Sequence, residues 1–111
     1  MERKSCKLTT LAEYNTFIKK HNHVILKAGA KWCGPCRRIK DLFNDLATNM
    51  PDSVKFGIID IDDSLGIKRK LNIKKIPYMA NIINGQVLDV VCGAIDKDIE
   101  GLFIKTRKRL D

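Results

Sequence analysis

Cys33 and Cys36 enclose Gly34 and Pro35, with Trp32 immediately before them. Two thiols at this spacing can close a reversible disulfide, supply half of a metal site, or pack as small apolar side chains. A structural zinc site wants a second Cys/His pair, and His21 and His23 do not complete a familiar spacing. No metal is therefore expected. Redox chemistry has a specific local requirement, which the flanking residues meet. Residues 23–28 are short, apolar and β-branched, as a buried strand is, and Pro35 fits the first turn of a helix, where a missing N–H costs little. The pair thus leaves a strand and opens a helix. Free N–H groups and the positive end of the helix dipole favour thiolate over thiol there. Such surroundings lower a thiol pKa by several units from about 8.5. Cys33 is expected to attack a substrate disulfide, and Cys36, one turn on, to resolve the mixed disulfide. Gly34 and Pro35 set the turn and keep bulk away from the sulfurs.

The elements that must hold this pair follow from periodicity and punctuation. Thr10 and Glu13 form a capping box, and Leu11, Tyr14, Phe17 and Ile18 recur at helical spacing to about residue 20. A second helix starts near Pro35, places Ile39, Leu42, Phe43 and Leu46 on one face, and ends before Pro51. Residues 54–61 are strand-like. Asp63 or Ser64 caps a short helix to about Leu71. Residues 76–83 form a strand opened by Pro77, where a missing donor is tolerable. Asn84 and Gly85 give a type I′ hairpin turn into a returning strand over 86–92. Asp96 caps a final helix that buries Ile99, Leu102, Phe103 and Thr106. Residues 6–9 add a first strand. The expectation is an α/β chain: one domain over residues 1–111, with a mixed central sheet of four to five strands flanked by about four helices.

Trp32, Cys33, Gly34, Pro35 and Cys36 are identical to the active-site motif of thioredoxins. The Ile76–Pro77 step resembles that family's cis-proline, and the Asn84–Gly85 hairpin, Gly93 and Ala94 fall at similar spacing. Asp60, Ile61, Asp62 and Asp63 resemble the strand ending of its eukaryotic-type members. The resemblance spans nearly the whole chain. It implies the thioredoxin fold and protein-disulfide reduction by dithiol exchange with no bound cofactor. Electrons would come from a separate NADPH-dependent flavoprotein reductase. It also implies that Trp32 shields the site, and that Pro77 and Gly93 line the substrate groove.

Lys27 departs from the pattern. Thioredoxins usually carry a buried Asp there, and many carry a Lys where Ile58 stands. A buried lone lysine is expensive and tends to neutralise, so a partner is expected. Asp60 lies two residues beyond Ile58 on the same strand face, and a Lys27–Asp60 pair below the site is the expectation, tuning the cysteines' protons. The competing expectation is a lysine that bends out to solvent. At the groove, Tyr78 replaces a small Thr and Lys75 a small or apolar residue. With Lys31, Arg37, Arg38 and Lys74 they suggest a cationic rim that steers acidic partners. Cys92 precedes Gly93 near the groove and is expected to be a small apolar residue rather than a third redox thiol. Cys6 has no expected role.

The 111 residues carry 21 cationic and 13 anionic side chains, a net charge of +8. That charge suits acidic partners, and self-repulsion suits a monomer. Nucleic-acid binding is disfavoured, because no aromatics interleave the basic residues. The apolar runs are too short to span a bilayer, and no apolar segment follows the charged N-terminus. A cytoplasmic location with reduced thiols is expected. The alternative to an enzyme is a partner-binding or redox-sensing module of the same fold.

Overall fold

The computed structural model describes residues 4–110. Five strands and five helices alternate: β1 (Ser5–Lys7), α1 (Leu11–Lys20), β2 (His23–Gly29), α2 (Gly34–Arg38), α3 (Lys40–Thr48), β3 (Val54–Asp60), α4 (Leu65–Lys70), β4 (Tyr78–Ile83), β5 (Gln86–Cys92) and α5 (Asp96–Lys108). They form one sheet in the order β1-β3-β2-β4-β5. β3 runs parallel to β1 and β2, while β4 runs antiparallel to β2 and β5. The mixed sheet follows from the connections. The helical crossover after β2 requires parallel pairing, and the tight turn at Asn84 and Gly85 (φ 52° and 81°) requires antiparallel pairing.

β2 is the centre, and its Val24, Ile25, Leu26 and Ala28 are fully buried. One face packs on α1 and α4 through Tyr14, Leu26, Ile59, Ile67 and Ala80. The other packs on α3 and α5 through Ile25, Phe43, Phe56, Met79, Ile99 and Phe103. Phe43 meets Phe56 and Phe103 edge-on, at centroid separations of 6.0 and 5.4 Å. Such pairs add about 1 kcal/mol each beyond area burial.

Three local expectations change. The single helix expected after Pro35 is broken at Ile39 (φ −93°, ψ 3°), which raises the count from four helices to five. The amide bonds around the break are long: Arg37 N to Cys33 O is 3.3 Å and Ile39 N to Pro35 O is 3.4 Å. The bend lets both Ile39 and Phe43 bury, and the deeper row continues as Ala47 and Met50, leaving Leu42 and Leu46 half-buried. Ser64 caps α4 only by backbone, because its hydroxyl donates to the Leu8 carbonyl at 2.9 Å and ties α4 to the end of β1. Ile95, not Asp96, is the cap of α5, and Asp96 sits in the first turn, where the helix dipole favours an anion. Thr10 and Glu13 form the expected capping box.

Candidate active site

β2 ends at Gly29, whose carbonyl accepts from Ile61 N–H at 3.0 Å. The chain then turns through Ala30, Lys31 and Trp32 into α2. Cys33 N–H donates to the Ala30 carbonyl at 3.2 Å, and Arg37 Nη1 donates to the Lys31 carbonyl at 2.7 Å. The turn is thus tied at both ends. Cys33 is the N-cap of α2, and its Sγ accepts the Cys36 N–H at 3.1 Å. The two cysteines are joined as a disulfide across a Cα–Cα separation of 5.3 Å. Cys33 is 4% exposed, and Cys36 is half-buried. Gly34 and Pro35 are exposed above them.

Gly29 is part of the site, although sequence reasoning overlooked it. A side-chain carbon there would stand 3.3 Å from Cys36 Sγ. A side chain there would require the sulfur or the strand to give by a few tenths of an ångström. Trp32 is 65% exposed and does not flap freely, since its Nε1 donates to Asp62 Oδ2 at 2.8 Å.

The opposite wall is built from two loops. The Ile76–Pro77 peptide is cis, and the Pro77 carbonyl accepts the Gly93 N–H at 2.8 Å. Gly93 has φ +94°, a conformation that suits glycine. The tail of Lys75 lies against Gly93, its Cε and Nζ within ordinary contact distance, 3.5 Å, of where a side-chain carbon would stand. Arg38 spans from α2 to this wall, bonding the Ala94 carbonyl and, at 3.4 Å, the Asp96 carboxylate. Arg38 and Asp62 thus carry positioning contacts that no local signal marked, because each partner is distant in sequence.

Beneath the site, Lys27 lies opposite Ile58 on β3 and Met79 on β4. The expected Lys27–Asp60 ion pair is not formed: among the described residues no carboxylate lies within 4.0 Å of its ammonium. Nζ instead stands 4.5 Å from the centroid of the Phe43 ring, an attraction worth about 0.5–2 kcal/mol. Asp60 is registered with Gly29, one strand step further on, and its Oδ1 accepts the Asp62 N–H at 2.9 Å. Lys27 and Asp60 still face one open hollow of about 350 Å³, together with Lys7 and Lys31. Burial pushes the Lys27 pKa down, and the nearby Lys40 charge adds to the shift. Tyr78 is buried, and its phenol is pushed up to about 12, first by burial and then by Cys92 and Tyr14. Cys92 pairs with Tyr78 across the β4–β5 ladder and is a free, exposed thiol, as is Cys6. No group of three or more His, Cys, Asp or Glu side chains among the described residues could hold a metal. No helix among them is long and apolar enough to cross a membrane.

Comparison with known proteins agrees with this geometry. The Thioredoxin family model matches residues 5–105. Thioredoxin 1 of Plasmodium falciparum is 31% identical over 98 residues, covering 88% of this chain and 93% of its own. Mitochondrial thioredoxin-3 of Saccharomyces cerevisiae is 30% identical over 100 residues, covering 86% of this chain and 78% of its own. A solved P. falciparum thioredoxin superposes with a TM-score of 0.84 at 29% identity, over 90% of this chain and 97% of that one. With its Cys33–Cys36 disulfide at a strand-to-helix junction, the chain belongs to the thioredoxin family and is a thiol–disulfide oxidoreductase of the protein-disulfide reductase kind.

Proposed function

We propose that Cys33 is the attacking thiolate and Cys36 the resolving thiol. The observation that carries this assignment is the Cys36 N–H donated to Cys33 Sγ at 3.1 Å. A hydrogen bond to the charged form lowers its pKa, and only Cys33 has this donor at the start of α2. The Cys33 thiolate attacks one sulfur of a substrate disulfide and expels the other as a thiolate. Cys36, losing its proton, attacks Cys33 Sγ, which releases the second substrate sulfur and leaves the Cys33–Cys36 disulfide. Two electrons and two protons then restore the dithiol, delivered by an NADPH-dependent flavoprotein reductase. Trp32, Pro77, Gly93 and Lys75 form the groove around the reacting sulfurs, and Gly34 and Pro35 keep it open.

Lys27 tunes proton transfer in this scheme. A half-buried lysine with a lowered pKa is neutral more often than a surface lysine, and a neutral amine can accept the Cys36 proton. Asp60 lines the same hollow without pairing with the amine. The cationic rim favours acidic protein substrates. The net charge of +8 supports a monomer, and two exposed free cysteines suit a reducing compartment such as the cytoplasm.

Reduction of a protein disulfide such as that of insulin tests the assignment. Cys33→Ser should abolish turnover and form no adduct. Cys36→Ser should also lose turnover but accumulate a mixed disulfide through Cys33. An adduct through Cys36 in the Cys33→Ser chain, with none in the converse variant, would reverse the roles. Lys27→Met should move the pH dependence of the rate. An unchanged profile removes Lys27 from proton transfer.

A further inference from the structure

Cations surround the groove, but they are not equivalent. Arg37 is committed to the Lys31 carbonyl at 2.7 Å. Arg38 is committed to the Ala94 carbonyl and to Asp96. Lys31 lines the hollow behind the site. Lys75 differs from all of these. Its Cε and Nζ lie 3.5 Å from the point where a side chain on Gly93 would begin. Gly93 is fixed there by its φ of +94° and its bond to the Pro77 carbonyl. The Lys75 ammonium is therefore laid over the groove wall beside the cis Ile76–Pro77 peptide. Among the described residues it has neither hydrogen bond nor ion pair. Two carboxylates at the site are already engaged, Asp96 by Arg38 and Asp62 by Trp32.

Ile76, the residue between Lys75 and Pro77, makes no backbone–backbone hydrogen bond among the described residues. An extended peptide can add there as a strand, with main-chain bonds giving affinity and side chains giving choice. We propose that Lys75 is a specificity-determining residue, which selects protein disulfides whose reacting cysteine has Asp or Glu within two residues. This rests on the disulfide-exchange role of Cys33 and Cys36. Trp32 and Ile95, 65% and 57% accessible, offer exposed apolar surface. Lys75 supplies a charge at the wall that no described residue pairs. An exposed ion pair of this kind changes a rate constant by about two- to fivefold.

The test uses three peptide disulfides, identical except for Glu, Gln or Lys beside the cysteine. kcat/KM is measured for the wild-type chain, Lys75→Gln and Lys75→Glu. The wild type should prefer the Glu peptide over the Lys peptide by about fivefold, with Gln between them. Lys75→Gln should flatten the order and Lys75→Glu should invert it. Salt near 1 M should collapse the wild-type preference, because the pair is exposed. An absent preference in the wild type, or an order that survives in both variants, overturns the proposal. Failure of the underlying chemistry looks different: all three peptides stay oxidised with the wild-type chain, and both assignments fall together.

Discussion

Lys27 on β2 and Asn81 on β4 are polar residues on the same face of the sheet, one step apart on adjacent strands: Ile25 pairs with Asn81, and Lys27 pairs with Met79. Their surroundings are opposite. Asn81 is fully buried and fully used. Its Nδ2 donates to Asp89 Oδ2 at 2.8 Å and to Thr106 Oγ1 at 3.1 Å, and its Oδ1 accepts the Asp89 N–H at 2.7 Å. Thr106 in turn donates to the Leu102 carbonyl at 2.7 Å, and Arg109 Nε closes on Asp89 at 2.8 Å. Among the described residues, Lys27 has only the Phe43 ring. Buried polar groups are stable when every donor and acceptor is paired, and costly when one is left over. The Asn81 cluster therefore pins α5 to the hairpin, whereas Lys27 is held in a state that favours giving up its proton. Strain of this sort belongs beside the reacting sulfurs, and full satisfaction belongs away from them.

The largest break of this contrast is Asn81→Ala. It strips the partners from the Asp89 N–H and leaves part of the Asp89 carboxylate and the Thr106 hydroxyl unanswered. The expected loss is about 3 kcal/mol, or roughly 15 °C in Tm, read by urea unfolding and by thermal melting. Disulfide reduction at 25 °C should persist, because the cluster touches no reacting atom. A variant within about 0.5 kcal/mol of the wild type would mean that the cluster is decoration.

How much of this was legible in the sequence depends on the range of the contact. The Thr10–Glu13 box, the Asn84–Gly85 turn and the apolar row of α5 are local, and periodicity shows them. The break at Ile39 is invisible because Ile39, Leu42, Phe43 and Leu46 stay in helical step across it. Asn81 was visible only as a polar residue in an apolar run, and its partners Asp89 and Thr106 lie eight and 25 residues away. Gly29 ends a strand like any glycine, and only the position of Cys36 Sγ shows why it is there. For Lys27 the face and the burial were foreseeable, and the partner was not. Strand alternation put Asp60 on the correct side, but the parallel register sets it opposite Gly29, while the bend at Ile39 turns the Phe43 ring toward the amine. Site residues carried by the motif were readable; those that position them through distant side chains were not.

Lys27→Met sharpens the other half of the comparison. The stem is kept and the desolvated charge removed, so the folded state at neutral pH should be more stable by about 1 kcal/mol. The two chains should then converge at high pH. The folded pKa of Lys27 lies below its ordinary 10.5, so in the interval between the two values the unfolded chain holds more protons. Wild-type stability should therefore gain on the variant as pH rises toward 10.5. Parallel stability–pH curves would show that the charge is not strained.

The smallest effect lies on the acid side, at the Asn81 cluster. Arg109 holds the Asp89 carboxyl below its ordinary 3.8 through a side-chain hydrogen bond, with Asn81 adding to the shift. A depressed folded pKa contributes stability above the unfolded value and loses it as pH falls through the folded one. The wild type should thus lose stability below about pH 3.8. Arg109→Gln should shrink that acid loss and cost little stability at pH 7, since the guanidinium is exposed. The variant should leave the alkaline limb assigned to Lys27 untouched. If Arg109→Gln flattened the alkaline limb as well, the two groups would be coupled through the shared face of the sheet, and the division between a satisfied cluster and a strained lysine would fail.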